Sequence, residues 1–280
     1  MTLVLIRGGG DIASGVALRL HHVGFDIVIL ELEQPLAVRR TVSFAEAVYE
    51  GSHTIEGVTA RLATPDRYTN IHEAGEIPVL MDPNANILAN SLLINPQSTI
   101  VIDARLIKQT PSPLPNQPAL HIGLGPGFHA GENCHAVIET RRSHTLGRVY
   151  WTGSAQADSG QPEGDPRRVL RAPADGVLVS HVDIGAHVDE GQLIAEIQQS
   201  SINNRKSEIV TSPFKGVLRG LIHKDVLVTK DMKIGDVDPN DNSSYCFLVS
   251  DKALAVAGGV LEAIFTRLEL RAGYSLKAGN

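Results

Sequence analysis

The stretch Leu3-Val4-Leu5-Ile6-Arg7-Gly8-Gly9-Gly10-Asp11-Ile12-Ala13-Ser14-Gly15, continued to Glu31, decides how this chain is read. Leu3 to Ile6 is a short apolar run suited to a buried strand. Three glycines follow at once. Ile12, Val16, Leu20 and Val23 then recur at helical spacing, and Gly24 ends the helix. Ile27-Val28-Ile29-Leu30 is a second buried strand that closes on Glu31. Strand, glycine turn, helix and strand in this order predict a phosphate-cradling βαβ unit.

The turn fits the pattern Gly8-x-Gly10-x-x-Ala13, with Gly9 between its glycines. Backbone amides at such a turn can face a phosphate, helped by the positive end of the helix dipole. Gly10 would let the backbone approach a ligand, and Ala13 would let helix and strand pack closely. Glu31 stands near where an acid grips a ribose hydroxyl. Asp11 fits this pose badly, because a carboxylate repels phosphate unless a metal or a polar ligand group intervenes. Arg39 and Arg40, just past the second strand, are candidate phosphate partners through bidentate contacts. The competing reading is a plain glycine turn with no ligand.

Alternating helices and apolar strands continue beyond Glu31. Thr41 to Tyr49 reads as a helix with Val42, Ala45 and Val48 on one face. Gly57 to Leu62 reads as a strand and Asp66 to Ala74 as a helix. Ile77 to Met81, Thr99 to Ile102 and Leu120 to Leu124 read as further strands. Pro111, Pro113, Pro115 and Pro118 mark a surface loop. The pattern predicts an α/β, Rossmann-like, mainly parallel sheet. A second glycine turn, Gly123-Leu124-Gly125-Pro126-Gly127, follows Leu120 to Leu124. With Gly125 and Gly127 exposed at a strand end, it would line the same cleft as the first if the two strands are neighbours.

Ser159 to Pro166 has linker composition, and the sequence beyond it repeats itself at an offset of 40 residues. Pro173, Gly176, Val177 and Leu178 match Pro213, Gly216, Val217 and Leu218, and Val188 and Ile194 match Val228 and Ile234. Two similar β half-units are expected, each opening Pro-x-x-Gly-Val-Leu. The expected domains are a nucleotide- or cofactor-binding domain over 1–158, a β-rich duplicated domain over 166–250, and a C-terminal helix and tail over 251–280. Ser250 is the expected cap of that helix.

Composition narrows the function classes. The formal charge is −6 and aromatics are only 4% of the 280 residues, so no nucleic-acid footprint or single-strand stacking platform is expected. Two cysteines, Cys134 and Cys246, do not make a secreted disulfide framework. Leu3 to Ile6 is too short for a signal peptide or a membrane span. The expectation is a cytoplasmic protein that does not engage membranes.

Other chemistry-bearing groups are sparse. His129, Glu132, Cys134, His135, Glu139 and His144 are residue types that suit zinc, but their spacing follows no metal motif and no metal is assigned. Cys134 is open to reading as a reactive thiol. There is no Gly-x-Ser-x-Gly elbow and no Gly-Lys-Ser loop. No catalytic residue is singled out; Asp103 and His129 are the nearest to proton-transfer candidates.

Two resemblances add to this reading. The stretch Val169 to Asp238 resembles the biotinyl/lipoyl-type barrel-sandwich hybrid. The carrier-lysine position of such domains falls on Arg205, with Lys206 beside it but without flanking methionines. A structural or interaction module is therefore expected rather than a swinging arm. Several segments resemble the accessory proteins of the selenium-dependent molybdenum hydroxylase system. They are Arg7 to Gly15, Pro35 to Gly51, Val101 to Arg105, Gly123 to Gly131, Val137 to Thr140, Leu146 to Val149, Arg168 to Gly176, Lys233 to Pro239, Ser250 to Ala253 and Gly258 to Ala263. Ser143 departs from the expected glycine. The resemblance implies a role in maturing a molybdenum hydroxylase, with the hydroxylase or its maturation factors as partners. The implied cofactor is of the molybdopterin type, and the same glycine loops would serve NAD(P). The alternative function is an NAD(P)-dependent oxidoreductase.

Overall fold

The computed structural model describes residues 2–160, 164–199 and 207–267. It divides into two compact units. The first comprises Met1–Glu33, Ser43–Ser159 and Val249–Asn280; the second comprises Gln34–Val42 and Gly160–Leu248.

In the first unit, β1 (Leu3–Arg7), α1 (Asp11–His22) and β2 (Asp26–Glu31) fall where the apolar spacing puts them. α2 (Ala47–Glu50) is a single turn. The hairpin β3 (Ser52–Ile55) and β4 (Val58–Ala63) follows, turning at Glu56 and Gly57, both with positive φ. Then come α3 (Tyr68–Glu73), β5 (Ile77–Met81), β6 (Thr99–Asp103) and β7 (Leu120–Leu124). The short strands β8 (His129–Ala130), β9 (Ala136–Ile138), β10 (Val149–Tyr150) and β11 (Gly153–Ser154) complete the sheet elements of this unit.

Nine of these strands form one mixed sheet in the order β10-β9-β7-β6-β1-β2-β5-β4-β3. The seven inner strands pair in parallel, while β3 and β10 run antiparallel at the two edges. β6 and β7 are buried along their whole length, as inner parallel strands are when both faces are covered. One core cluster joins Leu5, Val28, Leu80 and Val101 to Leu88 and Ile94 of the following loop.

In the second unit, β12 (Val169–Arg171), β13 (Gly176–Ser180), β14 (His187–Val188) and β15 (Leu193–Gln198) make one half of the repeat. β16 (Ser207–Thr211), β17 (Gly216–Leu221), β18 (Leu227–Val228) and β19 (Lys233–Asp238) make the other. The strands form two antiparallel sheets, β12-β19-β17-β14 and β16-β15-β13-β18. Each sheet mixes the halves: β13 pairs β18 and β14 pairs β17. The repeated glycines have one cause. A Cβ on Gly176 would strike the Gln198 carbonyl oxygen, and a Cβ on Gly216 would strike that of Asp238, the position 40 residues on. The carrier position at Arg205 and Lys206 lies outside the described residues.

The expected fold class is corrected to a coarser one. The chain is α/β, but a Rossmann-like sheet joined to a barrel-sandwich-hybrid-like domain does not describe it: the large sheet is mixed, further sheets are antiparallel, and helices are few. A doubly wound sheet needs a helix at each crossover. Here the four prolines from Pro111 to Pro118 deny one between β6 and β7, and only 3-10 turns lie between β5 and β6. The helix expected over Thr41 to Tyr49 is broken too. Ser43 is extended at φ −128 and ψ 115, between the 3-10 turns Arg40–Val42 and Phe44–Glu46.

The chain closes with α4 (Asp251–Thr266), capped by Ser250, whose Oγ accepts from Ala253 N at 3.2 Å. α4 packs on α1 where Gly15 leaves no side chain: a Cβ there would lie 2.6 Å from that of Ala253. Near the C-terminal end of α4, the rings of Phe265 and Phe25 meet at 6.2 Å. Among the described residues, no helix is long and apolar enough to cross a membrane.

Candidate functional site

The first glycine turn is tied up by the protein itself. Gly8 takes φ +91, and its N–H donates to Leu30 O at 2.7 Å. Gly9 N–H donates to Glu31 Oε2 at 2.6 Å, and Leu32 N–H donates to Glu31 Oε1 at 2.7 Å. Burial raises the Glu31 pKa, and these two hydrogen bonds oppose the rise. The segment Ser43 to Ala45 lies over the turn. Ala45 N–H donates to Gly9 O at 2.9 Å, Ser14 Oγ donates to the same oxygen at 3.1 Å, and Phe44 N–H donates to Ser14 Oγ at 2.7 Å. A Cβ on Gly9 would sit 2.9 Å from Ala45 N. Gly10 faces open space at the start of α1, Asp11 is half-buried in its first turn, and Ala13 is buried.

The second glycine turn serves packing of its own. A Cβ on Gly123 would enter the Phe128 ring. One on Gly125 would lie 3.0 Å from Thr140 Oγ1, and one on Gly127 would lie 2.5 Å from Ile107 O. β6 lies between β1 and β7, so the strands leading into the two turns are not neighbours. Arg39 and Arg40 belong to the second unit. Arg39 Nη2 donates to Tyr245 O at 3.2 Å and Leu248 O at 3.3 Å, and Arg40 Nε donates to Leu221 O at 2.8 Å.

The histidine and carboxylate cluster also disperses. Glu139 is buried, and its carboxylate accepts from Arg141 N–H at 2.7 Å and Gln156 N–H at 2.8 Å. Asp103 is wholly buried and accepts from Arg7 at 3.0 Å and from Arg105 at 2.6 Å. The Cys134 thiol is pushed up to about 11 by burial, so it is protonated at neutral pH and is not the reactive thiolate considered above.

What the structure does bring together is a cavity of about 780 Å³ beside β7, within the first unit. Pro111, Pro113, Leu114 and Trp151 supply apolar wall. His121, Cys134, His135 and Arg267 supply polar groups. The position of His121 follows from strand alternation: Leu120, Ile122 and Leu124 point to one face of β7, and His121 and Gly123 to the other. Gly123 makes room for the Phe128 ring, which meets the His121 ring edge-on at 6.0 Å. His135 is held against the same strand. Its N–H donates to His121 O at 2.8 Å, and its Nδ1 accepts from His121 N–H at 2.8 Å. The proton of neutral His135 therefore sits on Nε2.

His121 is 6% exposed, and its Nε2 is buried without a hydrogen-bond partner among the described residues. Burial brings its pKa down to about 4; Asp103 opposes this, while His135, Arg7 and Arg105 add to it. His135 is lowered as well, by burial first and by the Arg267 charge second. Both imidazoles are neutral at pH 7. The Arg267 guanidinium lies over the Trp151 ring at 5.5 Å, and its Nε is buried without a partner among the described residues. Sequence reasoning passed over His121, Trp151 and Arg267. The signals available were a histidine at an inward position of an apolar strand and a lone tryptophan.

No protein family model matches the chain. Over 267 residues it is 47% identical to the uncharacterized protein YqeB of Escherichia coli (strain K12), covering 94% of this chain and 47% of that one. The chain thus spans about half the length of this curated relative. Among solved structures it is similar to a succinylglutamate desuccinylase from a Silicibacter species, at 12% identity, 84% of each chain and a TM-score of 0.28. It is also similar to the ectoine utilization protein EutE of Ruegeria pomeroyi, at 10% identity, 84% of this chain, 56% of that one and a TM-score of 0.26. Scores of this size establish no common fold, and no hydrolase chemistry passes to this chain from them.

These findings correct the resemblance. No family model matches the chain, and none of the proteins named above is described as a selenium-dependent molybdenum hydroxylase accessory protein. The maturation role, its molybdenum and selenium chemistry, its molybdopterin-type cofactor and its hydroxylase partner are withdrawn. The NAD(P)-dependent oxidoreductase falls with them. Its ribose-gripping acid, Glu31, is spent on the amides of Gly9 and Leu32.

Proposed function

We propose that this protein binds a small molecule in the cavity beside β7, and that the groups lining it are set up for binding rather than covalent catalysis. The observation that carries the reading is His121. A buried imidazole nitrogen without a partner costs about 1–3 kcal/mol unless something satisfies it. His121 itself lines a cavity large enough for a drug-sized molecule. The chemistry of the lining agrees. Neutral imidazoles and a protonated thiol donate and accept hydrogen bonds at pH 7, but they are a poor base and a poor nucleophile there.

Thermal unfolding of the intact protein against a library of small metabolites tests this. A ligand of the cavity raises the midpoint of the wild type. It leaves unchanged that of His121→Phe, which fills the space and removes Nε2. A library in which every stabilising compound acts equally on both proteins overturns the assignment.

A further inference from the structure

We infer that the ligand of this cavity is a small organic carboxylate with a flat or compact apolar body, its carboxylate on Arg267 and its body between Trp151 and the prolines Pro111 and Pro113. This deepens the binding reading above and rests on it.

The argument begins with charge. The chain as a whole is acidic, at −6, yet the cavity carries a guanidinium that no carboxylate neutralises among the described residues. The nearby acids are otherwise engaged or remote in character. Asp103 is shared between Arg7 and Arg105. Glu132, at the cavity rim, is 71% exposed on its side chain and lies 3.3 Å from His129 Nδ1. A partly buried guanidinium gains most from a planar anion, which it can hold through two parallel hydrogen bonds.

Shape gives the second half. The central carbon of the Arg267 guanidinium lies 5.5 Å from the centre of the Trp151 ring, so a carboxylate held by Arg267 places the rest of the ligand close to the indole. Pro111, Pro113 and Leu114 offer rigid apolar surface that suits a ring or a branched chain. His121 and His135 belong to the same lining and flank the ligand body.

Isothermal titration of the intact protein with matched pairs tests the inference: benzoate against benzamide, and cyclohexanecarboxylate against its amide. The carboxylate of each pair is expected to bind at least tenfold more tightly, and Arg267→Gln to erase that preference while leaving amide binding in place. Arg267→Lys, which keeps the charge and loses the fork, should restore part of it. Equal binding of acid and amide overturns the carboxylate assignment and leaves the cavity as a binding site. Absence of binding by both acids overturns the carboxylate inference alone; the binding reading stands or falls on the metabolite screen.

Discussion

The backbone of His121 and the side chain and backbone of His135 hold each other through two hydrogen bonds of 2.8 Å, one in each direction. This pairing ties the segment that forms one wall of the cavity to an inner strand of the sheet. It also uses the lone pair of His135 Nδ1, so protonating that nitrogen breaks the bond.

The first prediction concerns acid. His121 has an ordinary pKa of 6.5 and a folded value of about 4, so between these pH values the unfolded chain binds the proton and the folded one does not. Stability is therefore lost as pH falls from about 6.5 towards about 4, by roughly 3 kcal/mol from this residue. Urea unfolding of wild type and His121→Gln at pH 7 and pH 4.5 isolates the effect. The gap between the two proteins should move in favour of the variant at the lower pH; a gap that does not move contradicts the burial argument.

Adjacent glycines in α4 should respond in opposite directions. A Cβ on Gly258 meets nothing within 4 Å, so Gly258→Ala gains helix propensity of about 0.5–1 kcal/mol. A Cβ on Gly259 would strike the Gly147 carbonyl and lie 2.9 Å from Ile138 Cγ2. Gly259→Ala should cost about 1–3 kcal/mol through overpacking. Denaturation midpoints of the two variants, one above wild type and one below, check the packing of this helix.

Glu31 is expected to behave as a structural residue. Glu31→Gln keeps one oxygen and turns the other into a donor, which cannot accept from Gly9 or Leu32. A loss of about 1–3 kcal/mol in unfolding free energy follows. A variant as stable as the wild type would return Glu31 to the list of ligand-gripping acids.

The cysteines should be silent. Cys134 and Cys246 are both buried and free, and burial raises both thiols. In the native protein at pH 7.5, neither should react with a disulfide reagent within minutes, and both should react in urea. Rapid labelling of native Cys134 would reinstate a nucleophile in the cavity.

What was legible in the sequence was local. β1, α1 and β2 could be read because strands buried on both faces are continuous apolar runs, and because Gly24, at φ +87, ends the helix. The repeat was legible because one close backbone approach demands glycine twice, at Gly176 and Gly216. The hairpin strand β3 was missed because Ser52-His53-Thr54-Ile55 has a single buried residue and no clear period. The site was missed for a different reason. Glycine turns look alike whether they receive a phosphate or the chain's own backbone, and nothing in Gly8 to Gly10 announces that Ala45 and Glu31 will come to it. His121, Trp151 and Arg267 are 30 or more residues apart and meet only through the strand order.

The emission of Trp151 tests the central claim most directly, since it is the sole tryptophan and it lines the cavity. On titrating the intact protein with an aromatic carboxylate such as benzoate, the account predicts a saturable change in that emission at one ligand per chain, with a midpoint at least tenfold higher in Arg267→Gln. Emission that stays unchanged while the same compound binds by calorimetry would place the ligand elsewhere and contradict the account.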